Sequence, residues 1–240
     1  MLKFLKVAIL ILAITACKNQ TNKKEETAIP EPEKEASEWK YLFDGSSLEG
    51  WRGYGMDSLP PGWTIRDSIL TFDTELGLEQ DYTGGKDIVY GAEEFDNFEL
   101  YLEWRIPEGA NSGIFYHVKE GYDGPPVVAP EYQIIDDENY ANIHDLTGYN
   151  SQFGAEHPEL LQDWQKTGAD YAMHTADESQ KQFNGKKLLE FVPWSQEWNA
   201  KKASGKWDNA PDYGKYKTGY IALQDHSSPI WFRNIKIKKL

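Results

Sequence analysis

From Phe98 to Ile106 the chain alternates without a break. Phe98, Leu100, Leu102, Trp104 and Ile106 fall on one side; Glu99, Tyr101, Glu103 and Arg105 fall on the other. A period of two marks a strand with one buried face, because a helix would scatter the same apolar groups around its axis. Gly109-Ala110-Asn111-Ser112-Gly113 has turn chemistry, and Ile114-Phe115-Tyr116-His117-Val118 returns as the next strand. Glu131-Tyr132-Gln133-Ile134-Ile135 predicts a third, with Glu131 and Gln133 on one face. Residues 219–224 and 231–237 predict a last pair, joined across Ser227-Ser228-Pro229. One short helix is expected where Pro158 suits a first helical position and Leu160, Leu161 and Trp164 form a stripe ending before Gly168. Many strands with turn signals and few helices predict an all-β sandwich or jelly roll.

The first residues follow another pattern. Lys3 and Lys6 precede an apolar run from Val7 to Ile14, then Ile14-Thr15-Ala16-Cys17. The run is too short to span a bilayer and reads as a secretory signal over residues 1–16. The small residues before Cys17 resemble the bacterial lipobox, whose cysteine becomes the lipidated first residue of the mature chain. Cys17 is the sole cysteine, so no disulfide framework exists. Residues 18–38 are charged, poor in apolar groups and carry two prolines, which is a tether's composition. The segment 17–38 is therefore expected to be a lipidated cysteine and flexible tether, with one domain over 39–240. These features predict a cell-envelope protein held at a membrane only through its N-terminal lipid, on the periplasmic side or the cell surface. The net charge of −14 becomes more negative once Lys3 and Lys6 are removed, which argues against nucleic acid as a partner.

The polar side of the strands is the remaining question. Glu99, Tyr101, Glu103, Arg105, Glu131 and Gln133 make a charged and aromatic set opposite the core, and a solvated outer face is the ordinary explanation. The chain nonetheless carries nine tryptophans, fourteen tyrosines and ten phenylalanines. Rings interleaved with carboxylates and amides suit sugars, whose C–H faces stack and whose hydroxyls need fixed donors and acceptors.

Specific strings narrow this further. Leu42-Phe43-Asp44-Gly45-Ser46-Ser47-Leu48-Glu49-Gly50-Trp51 resembles the opening of the 3-keto-disaccharide hydrolases, also described as 3-keto-glucoside 1,2-lyase/3-keto-2-hydroxy-glucal hydratases. Further strings follow in order: residues 98–105 (FELYLEWR), Asn111-Ser112-Gly113-Ile114, residues 131–136 (EYQIID), Thr167-Gly168-Ala169-Asp170-Tyr171, and Leu223-Gln224-Asp225-His226 leading to Phe232-Arg233-Asn234-Ile235. Together they span residues 41–240. The resemblance implies a concanavalin A-like jelly-roll β-sandwich. One departure stands out: after residue 171 the family usually has a G-x-W-N strand and another strand, whereas here residues 173–182 run almost directly into the Asn184-Gly185 turn. The domain is thus expected to be shortened before residue 183. The loop from Trp194 to Lys217 is expected to wall one side of a cleft.

The resemblance implies chemistry on a glycoside already oxidised at C3, where the ketone acidifies the C2 proton. A base removes that proton as the C1 oxygen leaves, and water then adds, so elimination and hydration equal net hydrolysis. Within the matched strings, His226, Arg105 and Glu131 are the catalytic candidates. Imidazole titrates near neutrality, Arg105 supplies a fixed cation for an enolate, and Glu131 supplies a carboxylate. Gln133, Gln224, Asn111, His117 and Tyr101 are candidate substrate-binding residues. By alternation Gln224 and His226 share a face, and Asp225 faces away from both. His144, His157 and His174 are expected at the surface. A divalent metal is compatible with the Asp, Glu and His present, but no spacing specifies one. Two other readings stay open. One is a non-catalytic carbohydrate-binding module. The other is a conventional retaining glycosidase using Glu131 and Asp136, whose odd spacing points them to opposite faces of a regular strand.

Overall fold

The computed structural model describes residues 38–136 except Tyr82, together with Asn139, strand backbone within 165–191, and 191–240 except positions 205, 206 and 208. The signal, Cys17, the tether, the helix expected near Pro158, the three histidines at 144, 157 and 174, and most of the shortened segment lie outside the described residues.

Thirteen strands are present among them: β1 Lys40–Phe43, β2 Trp51–Gly53, β3 Trp63–Arg66, β4 Ile69–Phe72, β5 Ile88–Tyr90, β6 Phe98–Arg105, β7 Asn111–Val118, β8 Glu131–Ile135, β9 Gln165–Thr167, β10 Ser179–Phe183, β11 Lys186–Phe191, β12 Tyr220–Leu223 and β13 Ile230–Lys239. Two helices accompany them, α1 Thr74–Glu79 and α2 Gln196–Ser204, with a 3-10 turn at Pro125–Val127. One sheet runs β3-β4-β13-β6-β9, with β1 also on β13; the other runs β2-β5-β12-β7-β8. β10 and β11 pair antiparallel with each other. Leu70, Phe72, Leu100, Leu102, Phe232 and Ile237 from the first sheet share one core with Ile88, Ile114, Tyr132, Ile134, Ile221 and Leu223 from the second. This is a two-layer jelly-roll sandwich, as the alternation predicts.

The expected strands stand where the periodicity puts them, with three differences. β7 starts at Asn111 instead of after Gly113, because Asn111, Ser112 and Gly113 pair with Ile135, Ile134 and Gln133 of β8. The turn before it is confined to Pro107–Ala110. Gly109 there has φ +68, and its N–H donates to Asp136 Oδ2 at 2.6 Å. The 194–217 loop carries α2, and α1 begins at an Asp73 cap that accepts from Leu76 N–H at 2.9 Å; neither helix has a marked apolar stripe to announce it.

The polar set read as one face is two. Tyr101, Glu103 and Arg105 lie on the outer side of the six-stranded sheet, whereas Glu131 and Gln133 lie on the outer side of the five-stranded sheet. Alternation fixes in and out along a strand but not which sheet the strand joins.

Candidate active site

The outer face of the five-stranded sheet has two unlike halves. Val89, Phe115, Val118 and Ala222 form an apolar patch with Val128 and Ala129, and Tyr54, Tyr122, Tyr216 and Tyr220 pack against it. Tyr122 and Tyr216 are joined hydroxyl to hydroxyl at 2.7 Å, and Tyr122 also donates to Asp212 Oδ2 at 2.7 Å. These bonds tie the loop after β7 to the loop before β12. The Arg52 guanidinium closes the same end, gripping Glu120 through both oxygens while Gly55 N–H donates to Glu120 at 2.7 Å.

The other half of this face is polar, and strand register assembles it. Gln133 pairs with Gly113 across β8 and β7. On the other flank of Gly113, Gln224 N–H donates to Gly113 O at 2.9 Å, and Ser112 Oγ donates to Gln224 O at 2.9 Å. One step beyond the Leu223–Ile88 pair, Gln224 comes beside Asp87. Asp87 shares the outward side with Val89, since Ile88 and Tyr90 enter the core. A single cross-strand row therefore reads Asp87, Gln224, Gly113, Gln133. Into the gap above Gly113 reaches the carboxylate of Glu131, from the next row of β8. Only glycine leaves that volume open.

Each member has a defined environment. Gln224 is buried, and its Oε1 has no hydrogen-bond partner among the described residues. Gln133 is exposed, but its Nε2 donates to Asn111 Oδ1 at 2.6 Å and Ser112 O at 2.9 Å, so the two amides orient each other. Burial, and then the Glu131 charge, raise the Tyr213 phenol well above its ordinary range, so it stays protonated beside that carboxylate. Tyr213 stacks on Trp207 with ring centroids 3.8 Å apart. The 194–217 loop thus does wall this side, as expected.

The remaining candidates are placed elsewhere. His226 is exposed, two residues beyond Gln224 and past the end of β12. Asp225 is buried, accepting from Lys86 N–H at 3.0 Å and Ser227 N–H at 2.8 Å, which is a turn-holding role. His117 is 1% exposed with φ +56; its ring stacks on Trp194, its Nε2 lies 2.8 Å from Asp96 O, and burial lowers its pKa. It serves packing and cannot reach the polar row. Tyr101 donates to Glu103 at 2.9 Å, and Glu103 also holds Arg233 at 2.6 Å. Arg105 lies over the Trp231 ring at 4.6 Å, beside a cleft of about 360 Å³ that also contains the Arg66–Asp73 pair at 2.5 Å. That cleft faces away from Glu131, so Arg105 and Tyr101 leave the candidate site. Asp136 is committed to Gly109 and Asn139 and does not pair with Glu131, which removes the basis of the two-carboxylate retaining arrangement. Among the described residues no group of three or more His, Cys, Asp or Glu side chains is arranged to hold a metal ion.

Asp87 was not anticipated. A single carboxylate after Gly84-Gly85 reads as turn chemistry. Its one available signal is the apolar triplet Ile88-Val89-Tyr90, which would have placed position 87 on the outward side had it been recognised as a strand.

Comparison with known proteins follows the same lines. Residues 38–238 match the family model of the 3-keto-alpha-glucoside-1,2-lyase-like domain. A 3-keto-disaccharide hydrolase of Bacteroides thetaiotaomicron is 32% identical over 228 residues, covering 83% of this chain and 77% of that protein. A crystal structure of a proposed glycosyl hydrolase from Parabacteroides distasonis is 30% identical with a TM-score of 0.67, covering 84% of this chain and 94% of its own. A second from that organism is 23% identical with a TM-score of 0.57, covering 85% and 100%, and shares the fold.

Proposed function

Because the chain belongs to the family of the 3-keto-alpha-glucoside-1,2-lyase-like domain, we propose that it cleaves 3-keto-glycosides by β-elimination and hydration, in carbohydrate catabolism. The observation carrying this reading is the Glu131 carboxylate, seated over Gly113 between two amides on a face otherwise closed by tyrosines. Elimination needs one base at C2 and donors at the C3 oxygen where the enolate charge develops. Glu131 is the base. It lies in a part-buried site beside the Tyr213 phenol, which stays protonated there. The Gln224 amide, fixed through its backbone to Ser112 and Gly113, supplies donors for the enolate oxygen without reorganising. Asn111 and Gln133, locked together, hold hydroxyls at one edge of the ring, and exposed His226 meets the substrate at the other.

The direct hydrolysis of an unoxidised glycoside would use different groups. A retaining glycosidase needs two carboxyls only about 5–5.5 Å apart across C1, and Asp136, the partner expected for Glu131, is otherwise engaged. Purified mature domain supplied with a 3-keto-glucoside and with the same unoxidised glucoside should release aglycone from the keto sugar only. Cleavage of both at similar rates would sink the reading, and binding without turnover would favour a carbohydrate-binding module. We carry with this proposal a lipid-anchored envelope location through Cys17. Palmitate labelling that persists in Cys17→Ser would contradict it.

A further inference from the structure

We propose that Asp87 is a second catalytic residue of this site, the proton donor to the departing glycosidic oxygen; the inference rests on the elimination reading above. Three observations carry it. Asp87 stands at the end of the outward row, separated from Gly113 and the overlying Glu131 carboxylate by Gln224 alone. Two strand spacings of about 4.8 Å each leave room between the carboxyls for one pyranose ring. Second, among the described residues no lysine or arginine pairs with Asp87; its one side-chain hydrogen bond is accepted from Asp225 N–H at 2.8 Å, which fixes the orientation of the carboxyl. Third, the charged groups facing it are acids: Asp225 on the extension of β12 and Glu131 on β8. Tyr54, following β2, donates its backbone N–H to Asp87 O at 2.8 Å, and its own phenol is held protonated chiefly by burial. Burial, with the two neighbouring carboxylates, raises the Asp87 pKa to about 7. Glu131 and Asp87 thus form two carboxyls in unlike surroundings, the arrangement that lets one take a proton while the other gives one.

The step balances without a further reactant. Glu131 takes the C2 proton, the C1–C2 double bond forms, the C1–O bond breaks, and the Asp87 proton passes to the leaving oxygen, so a neutral alcohol departs. In hydration Asp87 takes a proton from water as its oxygen bonds C1, and Glu131 returns its proton to C2. Both carboxyls end as they began.

The test compares two leaving groups. Methyl 3-keto-glucoside releases a poor leaving group that needs a proton; the 4-nitrophenyl analogue releases one that does not. Asp87→Asn is expected to lose about 10²–10⁴-fold in kcat/KM on the methyl substrate, and far less on the nitrophenyl one, which also reports that the variant is folded. In the wild type, kcat/KM for the methyl substrate should fall as pH rises through about 7, with a weaker fall for the nitrophenyl substrate. Equal losses on both substrates, undiminished methyl activity in the variant, or identical wild-type pH profiles would each overturn the assignment. Failure of the wild type to cleave either keto-glucoside would overturn the elimination reading beneath it.

Discussion

The Glu131 carboxylate occupies the volume that a side chain at Gly113 would fill: a Cβ added there would sit well inside contact distance of Glu131 Oε1, Cδ and Cγ. The two residues belong to paired strands, Gly113 opposite Gln133 and Glu131 two positions before it. A side chain at 113 would therefore push the carboxylate off the row that Gln224 and Gln133 define.

Gly113→Ala should accordingly damage activity much more than stability. Gly113 has no positive φ, so alanine meets no backbone penalty, and overpacking of this kind costs about 1–3 kcal/mol. We expect kcat on a 3-keto-glucoside to fall at least as far as in Glu131→Gln, with thermal unfolding showing only that modest loss. In a Glu131→Gly background the added methyl should cost little, because the group it displaces is gone. A Gly113→Ala enzyme with wild-type turnover would remove Glu131 from the base role.

The same geometry ranks the imidazole below the carboxylate. His226 is exposed past the end of β12, so His226→Ala should cost about tenfold or less, as for one solvent-facing contact, while Glu131→Gln should cost about 10²–10⁴-fold, as for loss of a general base. Steady-state rates for both variants decide this, and a greater loss in His226→Ala would reverse the assignment.

Arg105 tests the separation of the two faces. It lies over Trp231 on the six-stranded sheet, so Arg105→Ala should leave kcat and KM unchanged. It should lower stability by about 0.5–1 kcal/mol, as for a partly exposed cation–π contact. A loss of turnover in a variant that remains folded would mean that this face takes part in the chemistry.

Much of this was legible in the residues. The unbroken alternation at 98–106 and the pattern of residues 131–135 gave strand position and facing, because pleat geometry leaves no alternative. Glu131, Gln133, Asn111 and Gln224 were all candidates from the sequence, and strand pairing brings them to one face. What alternation could not supply was partnership between strands. Arg105 and Glu131 both face outward, yet from different sheets, and only long-range pairing decides that. Asp87 was hidden for the opposite reason: its strand has three residues, too few to show a period.

Asp87 also makes a stability prediction that is independent of substrate. Its pKa is raised to about 7 from 3.8, so the folded state holds a proton that the unfolded state has released between those values. Stability should therefore fall as pH rises from about 4 to about 7 and then level off, by at most about 4 kcal/mol from this group. Asp87→Asn keeps an acceptor for Asp225 N–H and carries no charge. It should unfold at a higher temperature than wild type at pH 8, and the difference should shrink at pH 5. Parallel melting curves at the two pH values, with no change in the difference, would contradict the assigned protonation.

The central claim is that a base removes the C2 proton of a keto sugar before or as the C1 oxygen leaves. It is tested most directly by competing a C2-deuterated 3-keto-glucoside against its unlabelled twin and following release of the aglycone. Elimination predicts that the deuterated substrate is consumed several-fold more slowly by the wild-type enzyme. Equal consumption of the two, with the deuterium retained at C2 of the released keto sugar in ordinary water, would mean that the C2 bond is never broken and that cleavage proceeds at C1 alone.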